Sequence, residues 1–382
     1  MPDQRRKYCI AILFTLLLGY CKTAYEPPAL QAANNYLVVD GVINIAPNAI
    51  TIINVNRTRN VGDTATQGIP ELHAAVTIQA SSGATYPLVD SFNQGLYYSA
   101  PLTLNASLQY SIQVTTADGR KYASDLVTPK TTPPIDSLFF EQPSDLNIYV
   151  NTHDPANSTK YYRWDYTETW EHDAQLYTAW GVKDGMIFAV DSTTQTTNCW
   201  TTVNSSSILL ASTTRLSADV VDRQLVTTIP NGAIKLDIKY SLLLRQYALT
   251  ETAYNYWDLI RKTTDGLGTL FDLQPTQLVG NIHCTSNPTE PVIGFVSAST
   301  IQQQRIFIYQ SILHNWAHQS LAFGCDSTQI PVNTTDYRIY TYPDTLFAPW
   351  YFVSHGPLVL ASKICLDCRL QGGNNIKPSY WK

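Results

Sequence analysis

The sequence predicts an all-β protein: an N-terminal immunoglobulin- or transthyretin-like β-sandwich, followed by a larger β-rich domain with one docked α-helix. Three observations carry that expectation. Short runs of β-branched and aromatic residues follow one another closely, turn signals separate them, and the composition favours strands over helices. Tyrosine alone occurs 24 times, whereas charged residues make up only 14% of the chain. At 382 residues there is room for two domains, each with its own core.

Residues 1–20 read as a signal peptide. Arg5, Arg6 and Lys7 form a cationic head, and the apolar run 8–20 (YCIAILFTLLLGY) ends before Lys22. That run falls short of the ~20 apolar residues a membrane-spanning helix needs. It closes on Leu17-Leu18-Gly19-Tyr20-Cys21, which approximates the lipobox, where a cysteine receives diacylglycerol and becomes the mature N-terminus. Cys21 is therefore the expected lipidation site, with Tyr20 bulkier than the small residue usual before it. Each buried methylene of an acyl chain adds about 0.8 kcal/mol, so two or three chains anchor the protein permanently. Residues 21–35 (CKTAYEPPALQAANN) lack periodicity and read as lipid anchor and tether.

Strand signals then run 36–45, 49–57, 74–80, 95–100, 108–116 and 121–128, with Ser82-Gly83 and Asp118-Gly119 as turns. The segment 116–120 is the sharpest hairpin signal, because Asp-Gly accepts the positive φ of a tight turn. These strands set the sandwich at 36–130. The stretch 128–134 (TPKTTPP) holds three prolines, and 131–134 reads as an interdomain linker. In the second domain, 135–382, strands resume at 135–140 and 146–151. The segment 160–170 (KYYRWDYTETW) alternates, with Tyr162, Trp164, Tyr166 and Glu168 on one face and Tyr161, Arg163, Asp165 and Thr167 on the other. One helix is predicted at 251–262, from Ala253, Tyr256, Trp257 and Ile260 at helical spacing, a Thr250 cap, and Glu251 in the first turn with Arg261 and Lys262 in the last, placed to suit the helix dipole. Further strands are expected at 292–298, 305–313 and 337–342.

The net charge is −5, and loss of residues 1–20 leaves 22 basic against 29 acidic residues, or −7. Nucleic acid is thus not an expected partner. Without the signal peptide and Cys21, five cysteines remain: Cys199, Cys284, Cys325, Cys365 and Cys368. In an exported protein these are disulfide candidates, and an odd number leaves one unpaired. The expected pattern has Cys365 and Cys368 reaching back to distant partners such as Cys325 and Cys284. A redox Cys-x-x-Cys would start a helix, and zinc would need two more ligands, for which His283-Cys284 is the nearest pair. Neither a metal nor a cofactor is expected.

Catalytic patterns are weak. His314 and His318 share an i, i+4 spacing without the Glu of a zinc protease, and no Gly-x-Ser-x-Gly elbow occurs. Glu168 and Glu171, near Trp164 and Trp170, are the carboxylate and aromatic mix that glycosidases use, and also what a strand rim carries. No enzyme is expected. Trp164, Trp170, Trp180 and Trp200 are candidates for stacking on a glycan or peptide ligand, or for filling sheet faces.

Three blocks carry a family resemblance: 35–41 (NYLVVDG), 247–281 with Tyr256-Trp257, Gly268, Phe271-Asp272, Gln274-Pro275 and Gly280-Asn281, and the terminal Cys365-x-x-Cys368-Arg369, Gly372-Gly373, Lys377-Pro378 and Trp381. Together they resemble Bacteroidota lipoproteins grouped as domain of unknown function 4249. The resemblance implies an outer-membrane lipoprotein, of a kind often encoded beside TonB-dependent transporters. It brings no activity, cofactor or catalytic residue. The expected function is a non-enzymatic accessory to a TonB-dependent nutrient transporter, capturing or retaining its substrate. The alternatives are a free-standing glycan- or peptide-binding surface protein and an envelope structural or assembly protein. No acidic run follows Cys21, so the periplasmic and surface faces of the outer membrane both stay open.

Overall fold

A computed structural model of the chain describes residues 35–59, 68–183, 186–265, 280–317, 324–330, 346–354 and 357–382. Residues 1–34, with Cys21, and the expected strand 337–342 lie outside these. As predicted, strands dominate. The first eight are β1 (Leu37–Asn44), β2 (Ile52–Arg57), β3 (Ile69–Pro70), β4 (Ala75–Ala80), β5 (Thr85–Val89), β6 (Leu96–Ser99), β7 (Tyr110–Thr115) and β8 (Lys121–Ser124). Inward positions alternate with outward ones, so β4 buries Val76, Ile78 and Ala80. The sheet wraps one core that includes Leu37, Ile53, Ile78, Tyr97, Ile112 and Tyr122. Between β7 and β8, Gly119 takes φ +86° and its amide donates to the Thr116 carbonyl (2.9 Å), the turn the Asp-Gly pair predicts.

The second set begins with β9 (Ile135–Glu141), β10 (Leu146–His153), β11 (Tyr161–Asp173), β12 (Trp180–Lys183), β13 (Met186–Ala189), β14 (Asn198–Asn204), β15 (Leu209–Ser212), β16 (Val220–Ile229) and β17 (Lys239–Ala248). After α1 (Glu251–Asp265) come β18 (Ile282–Cys284), β19 (Val292–Ile293), β20 (Val296–Ser299) and β21 (Ile301–Tyr309). Two sheets, β16-β10-β9 and β14-β11-β17-β21, pack over a second core. The predicted alternation of β11 holds, since Tyr162, Trp164, Tyr166 and Glu168 are the buried face. Helix α1 caps as expected, the Ala253 amide donating to Thr250 Oγ1 (3.2 Å). It wedges between the two halves: Tyr254 packs on Tyr161 of β11 and Tyr256 on Phe295, with ring centroids 4.9 and 5.1 Å apart. Among the described residues no helix is long and apolar enough to cross a membrane.

Two expectations about organisation change. The boundary near 131–134 does not separate the halves, because β18 pairs with β8, and β19 and β20 pair with β1 in parallel. Nor is 131–134 a free linker. Thr132 is buried and its hydroxyl accepts the Ala248 amide (3.0 Å), while the Pro133 carbonyl accepts from Gln246 Nε2 (2.8 Å). The prolines stiffen a strap that neighbouring strands hold.

The C-terminal region adds β22 (Ser327–Gln329), β23 (Phe347–Phe352) and β24 (Leu358–Ser362), in the order β22-β24-β23, then a short helix α2 (Lys363–Leu366). The last residues return to β11 and β17. Trp381 is buried, its Nε1 donates to Glu171 Oε2 (2.8 Å), and Lys239 Nζ lies 5.1 Å from its ring centroid.

Candidate ligand-binding cleft

The hairpin β12–β13 and strand β23 form the two walls of a cleft of about 950 Å³. Thr178 joins them at the base: its hydroxyl faces the carbonyls of Pro349 (2.9 Å) and Trp350 (3.0 Å) and accepts the Trp180 amide (3.0 Å). Trp180 meets Phe352 edge-on at 5.0 Å. A Cβ on Gly181 would fall 2.6 Å from the Phe188 ring, so the glycine lets that ring cross its strand.

The floor is α2 and the turn after it, fixed from both ends. Cys365 bonds Cys325 and Cys368 bonds Cys199, so adjacent turns are fastened to the segment before β22 and to β14. Backbone bonds repeat the attachment, from the Leu176 amide to the Cys365 carbonyl (2.8 Å) and from the Cys368 amide to the Thr196 carbonyl (2.8 Å). Behind the floor, a Cβ on Gly373 would lie 2.6 Å from both Cys199 Cβ and His172 Nε2. Burial holds the His172 imidazole below its usual pKa, and Nε2 is 2.9 Å from Thr201 Oγ1.

Trp180, Phe188, Phe347 and Pro349 supply apolar surface, and the charged lining groups are Lys183, Lys363, Arg369 and Asp367. Arg369 Nε and Nη2 donate to the two Asp367 oxygens (2.9 and 2.7 Å), which raises the guanidinium pKa further. Thr193 and Thr194 turn their hydroxyls to Asp191 Oδ1 (2.7 and 2.9 Å), helping bring that carboxylate down to about 2. Thr196 donates to the Leu366 carbonyl (3.0 Å), and Asn375 Nδ2 to the Gln195 carbonyl (2.8 Å).

Of the four candidate tryptophans, Trp180 alone lines the cleft. Trp164 is wholly buried, with its Nε1 donating to Gln246 Oε1 (2.8 Å), and Trp200 is buried on β14, so both are core residues rather than ligand platforms. Trp170 is half-buried beneath Lys235, whose Nζ lies 5.0 Å from the ring centroid. Glu168 pairs with Lys235 and accepts from the Tyr240 hydroxyl (3.0 Å), while Glu171 accepts from Asn198 Nδ2 (3.0 Å) and Trp381. Three positions apart on one strand, the two carboxylates face opposite sides and cannot flank one bond.

The cysteines need one correction. Cys284 is not a disulfide partner: it is free and buried, with Sγ 3.4 Å from Ser286 Oγ. It belongs to β18 and hence to the first sheet's core, away from the Cys-x-x-Cys turn, and Cys199 takes the partner's place. His314 exchanges backbone hydrogen bonds with the Gln142 side chain, and His318 lies outside the described residues. Among the described residues no group of three or more His, Cys, Asp or Glu side chains is set to hold a metal. Sequence reasoning missed Phe188, Phe347, Lys183 and Lys363, whose joint signal is only that two segments lead into cysteines.

Fold and cleft define a class: an all-β chain of packed sheets, stapled by two disulfides, with a cleft of small-molecule size. The chain belongs to the family described as domain of unknown function (DUF4249), whose model matches residues 22–305. The match ends before β23 and the Cys365-x-x-Cys368 floor. No curated protein matches the chain. Among solved structures, the chain is similar to a DUF4785 family protein from Legionella pneumophila, at 10% identity over 55% of this chain and 51% of that one. The chain thus spans about half of that protein, and a TM-score of 0.21 is too low to transfer a fold or a function.

Proposed function

We propose that this chain is a non-enzymatic, lipid-anchored outer-membrane protein that captures a small ligand and serves a TonB-dependent nutrient transporter. The cleft carries this reading. Its volume of about 950 Å³ falls within the ~300–1,000 Å³ typical of small-molecule sites. Its floor is cross-linked on both sides, so little ordering remains for a ligand to impose. Two disulfides suit an oxidising envelope, in keeping with the export signal and Cys21. The two carboxylates that a glycosidase would need are engaged elsewhere, which supports a binding role over a catalytic one.

The test is affinity purification of the full chain from cells in mild detergent. A β-barrel transporter should co-purify, and should be lost when Cys21→Ser removes the anchor. Absence of any such barrel across growth conditions would sink the transporter role. A free-standing glycan or peptide binder is the second reading, favoured by Trp180 in the cleft wall. It predicts ligand capture by the protein with no barrel attached.

A further inference from the structure

We infer that the cleft takes an uncharged, mainly apolar molecule with a flat or branched body. This rests on the capture reading above and names its ligand class. Both walls present apolar side chains: Trp180, Val182, Phe188 and Val190 come from the β12–β13 hairpin and the residue after it, and Pro349 from β23, with Leu370 beside the floor. The four hairpin-side residues are half-buried and Leu370 is 55% exposed, so part of each apolar surface still faces water. A molecule that covers this surface gains affinity by releasing that water, and rings set on two facing walls suit a flat or branched body between them.

Polar groups of the lining are committed to the protein itself. Thr178 turns its hydroxyl to a β23 carbonyl, Thr193 and Thr194 turn theirs to Asp191, and Thr196 donates to the Leu366 carbonyl. Asn375 Nδ2 likewise donates to the Gln195 carbonyl. The charges are committed too: Arg369 covers both oxygens of Asp367, and Lys363 is engaged in an interaction of its own. Among the described charged groups of the lining that leaves Lys183, exposed at the end of β12, where water and salt screen its ammonium. A ligand hydroxyl or charge entering the cleft would give up water without gaining a comparable partner. A sugar, whose surface is mostly hydroxyls, and an ion of either sign are disfavoured on the same ground.

Three probes that share one ring and a similar length separate these classes near neutral pH: 3-propylindole is uncharged, indole-3-acetate is an anion and tryptamine is a cation. The purified full chain is equilibrium-dialysed against each, with the same mild detergent on both sides so that uptake by micelles cancels. The neutral indole should be retained most strongly and each ion at least about tenfold more weakly, a gap of about 1.4 kcal/mol. Lys183→Gln should leave that order as it is. Trp180→Ala should weaken the neutral indole about three- to tenfold, and Trp180→Phe, which keeps an aromatic wall, should recover most of the loss. Either ion binding as tightly as the neutral indole overturns the inference. So does retention that Trp180→Ala leaves untouched, since that marks uptake outside the cleft. If a neutral oligosaccharide panel binds and the neutral indole does not, the ligand class is wrong and capture stands. If nothing binds in either panel, both readings fall.

Discussion

Replacing Cys199 and Cys368 by alanine tests the part of the architecture on which the cleft depends. The bridge joins residues 169 apart, against 40 for Cys325–Cys365. Chain-entropy reasoning assigns the longer loop about 5 kcal/mol and the shorter about 4 kcal/mol, because the dependence on loop length is logarithmic. Measured losses for native bridges run about 2–5 kcal/mol, so that range is expected here. Alanine is the right replacement, since both sulfurs sit in a fully buried apolar cluster where a serine hydroxyl would lack a partner. Urea unfolding of the full chain, followed by tryptophan fluorescence, gives the size of the loss. Hydrogen exchange shows where it falls: the Cys368 and Trp200 amides, bonded to Thr196 and Asn374, should lose protection first. A loss under about 1 kcal/mol with those amides still protected would refute the claim that this bridge holds the floor.

Three further outcomes follow from the same structure. Gly294, at φ +124° between β19 and β20, leaves no room for a side chain, a Cβ there lying 1.9 Å from the Val39 carbonyl oxygen. Gly294→Ala should cost more than the ~1–3 kcal/mol of backbone strain alone, read as a urea midpoint shift, and an unchanged midpoint would contradict the pairing on β1. His172 has a folded pKa below its ordinary 6.5, so the unfolded chain takes up the proton first as pH falls. Stability from this group is complete above pH 6.5 and declines below it, and His172→Gln should flatten that part of the pH profile. Among the described residues Cys284 is the free thiol, and it is buried, so iodoacetamide and peptide mapping should leave it unmodified in the native protein and label it in guanidinium. Labelling at Cys199, Cys325, Cys365 or Cys368 without reductant would contradict the bridges.

The parts of the fold written in local pattern were legible. Strand β11 has one buried face, so its alternation shows in KYYRWDYTETW, and α1 announces itself through Thr250 and its helical spacing. Strand β17 (KYSLLLRQYA) was not legible, because nearly every position is buried and a strand covered on both faces loses its period of two. Strand β5 hides behind Pro87, which reads as a breaker but sits where the sheet accommodates it. The run 292–298 reads as a strand, yet nothing local says that its partner is β1. The cleft was less legible still. Its walls come from 178–196 and 347–375, which meet only through tertiary pairing, and the Cys-x-x-Cys pointed to tethering without naming the partner. Trp164 and Trp200 show why aromatic counting misleads: the same residue that stacks on a ligand also fills a sheet face, and burial decides between them.

The return of β18, β19 and β20 to the first sheet sets the order in which this protein can mature. Gly41 pairs with Val296 and Tyr122 with Cys284, so the opening sheet stays unfinished until residues near 300 have been synthesised. Such long-range pairing folds slowly. A fragment ending at 130 would present β1 and β8 as bare edges, open to pairing with any neighbouring chain. The first sheet is thereby completed only after nearly four-fifths of the chain has been made, and its two edges stay open until then.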